Sequence, residues 1–222
     1  MKRRHFLAAL PAAAAAPLLA DEAIVPPAAT ASCSIGVSTY SYIGLWKEED
    51  HLLKCVDRAA DMGFDGVELL RKQMPSHTPG YLNQVKKRAF AHGLPIMGYS
   101  THQDFLDPDR SKRKENVDIT TTLLEEAYHL GIPTIRINTG RWGTSKDFND
   151  LMAHRGIEPP LEGHTENEAF KWVIDSIEQL IPQSEKRGIV LGLENHWGLS
   201  RTADGLLRIL DAIDSPWLKV TL

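Results

Sequence analysis

The sequence predicts an α/β fold, a (β/α)8 TIM barrel that is incomplete, with about five and a half βα units. Three observations predict it. Strand-like and helix-like patterns alternate from residue 34 to residue 222. The Gly-rich nucleotide fingerprint that a Rossmann sheet wants after its first strand does not occur there. Polar residues gather at the C-terminal ends of the strand-like segments, where barrel enzymes keep their active sites. An open doubly wound sheet is the competing architecture.

The elements follow in order. Residues 34–42 (SIGVSTYSY) are rich in β-branched and aromatic residues and read as the first strand. Leu52, Cys55, Val56, Ala59 and Ala60 recur at helical spacing, and Gly63 stops that helix before a second strand at 64–70 (FDGVELL). Tyr81, Leu82, Val85, Ala89 and Phe90 form the second helical stripe, ended by Gly93, with strand three at 95–101. Residues 117–130 carry the third helix, Gly131 ends it, and 134–139 form strand four. Phe170, Val173, Ile174, Ile177, Leu180 and Ile181 mark a fourth helix that Pro182 kinks or shortens. Strand five spans 189–196, a fifth helix carries Leu206, Leu207, Ile209, Leu210 and Ile213, and strand six begins at 218. A barrel needs eight units, so the sequence reads as a C-terminally truncated one.

Composition narrows the function classes. The chain has 222 residues, 25 Lys+Arg against 29 Asp+Glu and a net charge of -4. That balance argues against a nucleic-acid partner. Two cysteines, Cys33 and Cys55, make neither a disulfide framework nor a Cys-rich zinc site. Nothing downstream of the N-terminus reaches the ~20 apolar residues of a membrane span. Residues 1–31 read as a signal peptide: Lys2, Arg3 and Arg4, an Ala-rich apolar run, then Ala29-Thr30-Ala31. Arg3-Arg4-His5-Phe6-Leu7 resembles the twin-arginine (Tat) type, with an ordinary Sec signal as the alternative. The expected location is the periplasm or the extracellular space, with residues 32–222 as the partial barrel.

Strand parity points to a site. Side chains alternate between faces, so Val67 and Leu69, Ile135 and Ile137, and Leu191 and Leu193 form the apolar parity that packs under helices. The opposite parity collects Ser38, Tyr40, Glu68, Ser100, His102, Arg136, Asn138, Glu194 and His196. Glu68 reads as a cavity ligand or as a loop carboxylate, and His102 as a catalytic or a structural histidine. Arg136 inside a barrel needs an anionic partner, which is Glu68, Glu194 or a substrate. Glu194 and His196, two residues apart on one face, suit a divalent metal or an acid/base pair. The long connection 139–167 reads as a lid or substrate wall. Trp142 and Trp197 either stack on a sugar or merely cover the barrel mouth.

Gly192-Leu193-Glu194-Asn195-His196-Trp197-Gly198 and Gly63-Phe64-Asp65-Gly66-Val67-Glu68-Leu69 resemble the strand-five and strand-two signatures of the xylose isomerase-like barrel superfamily, in its sugar phosphate isomerase/epimerase group. Ser100-Thr101-His102 and Ile135-Arg136-Ile137-Asn138 sit where similar members carry strands three and four. The resemblance implies an isomerase or epimerase that moves a proton next to a carbonyl through an enediolate. It implies one divalent cation of the Mn, Zn or Mg type, held by Glu194 and by three further ligands expected beyond Leu222. It also assigns one proton-transfer role to Glu194. His102 is the second candidate catalytic residue, and Glu68, Arg136, His196, Trp142 and Trp197 are the candidate sugar-binding residues. The expected partner is a small sugar or sugar derivative, whereas the 222-residue chain itself is expected to be inactive. A non-catalytic sugar-binding barrel is the alternative. A DNA-repair endonuclease would want a basic groove and a histidine cluster, and a retaining glycosidase would want a second carboxylate near the end of strand four.

Overall fold

The computed structural model describes residues 33–222. The signal-peptide segment lies outside the described residues. Residues Ser34–Leu222 form one compact unit.

Its elements are β1 (Gly36–Ser38), α1 (His51–Asp61), β2 (Gly66–Leu70), α2 (Pro79–Ala91), β3 (Ile96–Ser100), α3 (Arg110–Leu130), β4 (Thr134–Ile137), α4 (Phe148–Ala153), α5 (Glu166–Glu178), α6 (Ile181–Arg187), β5 (Val190–Glu194), α7 (Ala203–Ile213) and β6 (Leu218–Thr221). All six strands are parallel and lie in chain order from β1 to β6. This is the order of consecutive strands in a barrel wall. A doubly wound sheet reverses its strand order part-way.

The apolar parity packs as expected. Val67, Leu69, Tyr99, Ile135, Ile137, Leu191 and Leu193 are fully buried against the helices. Each helix offers a matching stripe, such as Leu52, Cys55, Val56 and Ala59 on α1, spaced at i, i+3, i+4 and i+7. Local chemistry sets the helix ends. Thr165 and Glu168 close a capping box at the start of α5. Gly131 and Gly188, both at positive φ, end α3 and α6.

Several elements differ from the sequence reading, among them α4, which lies within the 139–167 connection where no helix is predicted. The first strand stops at Ser38, because the Ser38 hydroxyl accepts the Tyr40 amide and turns the chain into a 3-10 segment, Thr39–Leu45. Thr39 is then tied to the next unit, its hydroxyl accepting Leu70 N–H and its carbonyl accepting the Gln73 amide. Phe90 leaves the α2 stripe and is 86% exposed. The third helix starts earlier, at Arg110, because Asp109 caps it through the Ser111 amide. The fourth predicted helix breaks in two around Leu180, with Pro182 in the first turn of α6.

Strict alternation also fails once. The register between β2 and β3 shifts, so that Val67 pairs Ile96 while Glu68 pairs Gly98. Met97 is the extra residue of this bulge. Its side chain lies on the inner face over Gly36 and Gly66, where a Cβ would displace the thioether. Thioether bulk there floors the interior and leaves polar groups to the strands' C-terminal ends.

Candidate active site

Register builds the inner surface. Ser38 pairs Glu68, which pairs Gly98; Ser100 pairs Arg136, which pairs Gly192; Glu194 pairs Thr221. Glu68 and Arg136 thus stand between small residues. A Cβ on Gly98 would lie 3.3 Å from Glu68 Cγ, so the glutamate lies over bare backbone.

These side chains open onto a cavity of about 810 Å³ at the C-terminal end of the strands. Glu68, His102, Arg136, Glu194, His196 and Trp197 all line it. So do Ser38, Tyr40 and Ser100. Trp142 does not. It packs edge-on against Trp172 at 6.4 Å, on the core behind the 139–167 connection. Asn138 lines a smaller neighbouring pocket instead, and its Oδ1 accepts Gln103 N–H. Several lining residues escaped the sequence reading: Lys72 and Gln73 just after β2, Trp46, and Met152 on α4. Lys72 sits four residues beyond Glu68 in the βα loop, and that position was the available signal.

Arg136 is the centre of the arrangement. Its side chain is only 12% exposed. Nη1 donates to both Glu194 oxygens, at 3.1 and 3.0 Å. Nη2 donates to the Thr101 carbonyl at 2.8 Å and lies 3.1 Å from His102 Nε2. Its Nε is buried and unpartnered among the described residues. The anionic partner that a buried arginine requires is therefore Glu194.

The two histidines differ. Burial, Arg136, Lys72 and His196 together push the His102 pKa down to about 4. The ring is neutral at pH 7 and accepts from the guanidinium. His196 Nδ1 accepts Trp197 N–H at 2.7 Å, which leaves the proton on Nε2, 3.6 Å from Glu194 Oε2. Burial lowers the His196 pKa, Glu194 opposes that, and Arg136 and Arg141 add to it.

One wall is aromatic: Trp197 meets Phe148 edge-on at 5.8 Å, and Tyr40 meets Trp46 at 5.6 Å. Carboxylates, a neutral imidazole, a guanidinium and apolar rings in one cavity suit a polyhydroxylated substrate and proton transfer on it.

A divalent cation fits these donors poorly. Glu194 is already charge-paired by Arg136. Among the described residues no group of three or more His, Cys, Asp or Glu side chains could hold a metal ion.

The model of the xylose isomerase-like TIM barrel family matches residues 56–222. The chain belongs to this family. Solved structures share the fold. A 3-keto-D-glucoside 4-epimerase from E. coli is 21% identical, with a TM-score of 0.60 over 76% of this chain. A D-psicose 3-epimerase, solved in the presence of D-fructose, is 18% identical, with a TM-score of 0.66 over 85%. A probable 3-DHS dehydratase from Bacillus anthracis is 20% identical, with a TM-score of 0.58 over 86%. This xylose isomerase-like chain spans 62% of the length of each. Among its described residues no helix is long and apolar enough to cross a membrane.

Proposed function

We propose that the protein is a sugar isomerase or epimerase that acts by proton transfer next to a carbonyl. The observation that carries this reading is the Arg136–Glu194 pair, set in the same cavity as Glu68 and a neutral His102. Membership of the xylose isomerase-like family and the same fold in two sugar epimerases support it.

The residues divide the work by chemistry. Glu194 or Glu68 takes the proton from the carbon beside the carbonyl, since a carboxylate is the base present on the cavity wall. Arg136 faces that carboxylate, and its charge offsets negative charge that builds on a substrate oxygen. His102, neutral and with its acceptor nitrogen toward Arg136, offers its other ring N–H to a sugar hydroxyl and orients the sugar. Trp197 and Phe148 offer apolar faces to the ring and exclude water.

Metal dependence rests on the family resemblance. A divalent cation here would have to share Glu194 with Arg136 and take its other donors from outside the residues described. By that donor count the described residues alone would bind such a cation weakly, whereas a form with all four family ligands would bind one equivalent. Calorimetry with Mn²⁺ on both forms, with Glu194→Gln as control, tests this part. Tight one-to-one binding by the 222-residue chain that survives Glu194→Gln would refute it. The same reading puts the protein outside the cytoplasm, on the strength of Arg3-Arg4 and the apolar run behind them. N-terminal sequencing of exported protein is its check.

The reaction itself is tested by incubating the protein with ketohexoses in D2O. Deuterium appearing at the carbon next to the carbonyl, lost in Glu194→Gln, is the expected result. Sugar binding without exchange in any form would replace the enzyme with a sugar-binding barrel.

A further inference from the structure

A second pocket of about 440 Å³ adjoins the main cavity. The two share Lys72, His102, Phe148, His196 and Trp197 as a common wall. Beyond that wall the annex is lined by Asp104, Asn138 and Arg141, from the loops after β3 and β4.

The annex is built rather than incidental. Gly140 has φ +84°, and a Cβ there would lie 2.8 Å from Asp104 Cα, so the β4 loop passes directly against Asp104. The Asp104 amide is held by the Asn116 side chain at 3.0 Å. Asn138 is 8% exposed and fixed through Oδ1 by Gln103 N–H. Its amide NH2 has no hydrogen-bond partner among the described residues and is left for a ligand. The Arg141 guanidinium lies over the Trp197 ring at 5.7 Å, and its Nε is 4.0 Å from Glu158.

The donor and acceptor pattern selects the ligand. An apolar group would strand the Asn138 amide without a partner. An anion would meet Lys72 and Arg141 but also the Asp104 carboxylate, which repels it and is left without a donor. A hydroxyl both donates and accepts, so a ring of hydroxyls matches Asp104 as acceptor beside Asn138 and Arg141 as donors. The Trp197 and Phe148 faces suit the apolar face of such a ring.

We infer that the annex is a second sugar subsite, and that the substrate class is a glycoside of two rings rather than a free monosaccharide. The inference rests on the sugar reading of the main cavity. One ring occupies the Arg136–Glu194 cavity, and the second passes the Trp197 wall into the annex.

Saturation-transfer NMR on the full chain at pH 7.5 tests this with glucose, cellobiose, maltose and sucrose, and with glucose 6-phosphate as competitor. The expected result is saturation of both rings of at least one disaccharide. Arg141→Met and Asp104→Ser each remove transfer to one ring and leave glucose binding unchanged. Two variants guard against a folding defect in either. Transfer to a single ring in every disaccharide would overturn the inference, as would equal loss of glucose and disaccharide in both variants. Displacement of the disaccharides by glucose 6-phosphate at lower concentration would make the annex an anion pocket and overturn it as well. No transfer to any sugar, glucose included, would sink the sugar reading of the main cavity itself.

Discussion

The barrel wall carries two Arg–Glu pairs, one on each face, and they are built differently. On the helix side, Arg71 Nε and Nη2 each donate to Glu126 at 2.9 Å, and Tyr99 Oη donates to the same carboxylate at 2.6 Å. Burial pushes the Glu126 carboxyl up, but Arg71 and Tyr99 outweigh it and hold its pKa below the usual range. That carboxylate accepts three hydrogen bonds, all from inside the protein. On the cavity side, Arg136 holds Glu194 by a single nitrogen, keeps a buried Nε without a partner, and shares the opening with two histidines. A closed pair ties α3 to the loop after β2. An open pair leaves charge and hydrogen-bonding capacity for a substrate. The lesson is that a buried ion pair becomes a candidate site through what it leaves unsatisfied.

The sharpest way to break that comparison is to neutralise each glutamate. Glu194→Gln is expected to cut turnover in an active form of the protein by roughly 10²–10⁴-fold, the usual worth of a proton-transfer group. Steady-state kinetics beside a melting curve will show whether the loss is chemical or structural. Glu126→Gln should do the reverse. Leaving Arg71 and the Tyr99 hydroxyl around a neutral amide costs about 3 kcal/mol of stability, or roughly 6–12 °C in Tm for a domain of this size. Differential scanning calorimetry reads it, and an equal Tm loss in both variants would erase the distinction drawn between the pairs.

Trp197→Ala probes the open side more gently. The ring makes an edge-to-face contact with Phe148 at 5.8 Å, and the Arg141 guanidinium lies 5.7 Å from its centroid. Its removal should weaken sugar binding about tenfold, ~1.4 kcal/mol, with no comparable change for Trp142→Ala, whose ring packs on Trp172. Titration followed by NMR separates the two tryptophans, and equal losses would return Trp142 to the site.

The smallest effect concerns pH. Burial first, then Asp107, pushes the Asp104 carboxyl up to about 6, against Arg141 and Lys112. A carboxyl raised in the folded state binds more protons there than in the unfolded chain. Stability from this group is therefore present at low pH and is lost as pH rises from about 4 through 6. Asp104→Asn removes that decline, so the variant should gain on the parent across this window and run parallel above it. His102, lowered to about 4, works with the opposite sign, because its neutral form is favoured on folding. Its contribution grows as pH rises from about 4 to 6.5, and it is common to parent and variant. Paired Tm measurements between pH 4 and 8 check the difference.

Much of the architecture is legible along the chain, because short-range patterns govern it. Period-two alternation put Glu68, Ser100, Arg136 and Glu194 on one face and the branched residues on the other. Helical stripes and terminal glycines marked where helices run and stop. Signals of that kind depend on neighbours within a few residues. Strand one failed the same test, since the Ser38 turn competes with extension and is held by Leu70 and Gln73, some thirty residues away.

What the sequence by itself determined is the alternation of elements, the inward parity and the family to which GLENHWG and GFDGVEL point. Only the tertiary structure decided which acid pairs Arg136, since Glu68 and Glu194 share a parity and differ only in the strand that carries them. It also decided that Met97 floors the barrel through a bulge, that Trp197 lines the cavity while Trp142 does not, and that Lys72 reaches the cavity from a loop. The physical reason is common to all of these. Alternation specifies the direction of a side chain relative to its own strand, whereas its partner depends on the stagger between strands and on loops that fold back over their ends.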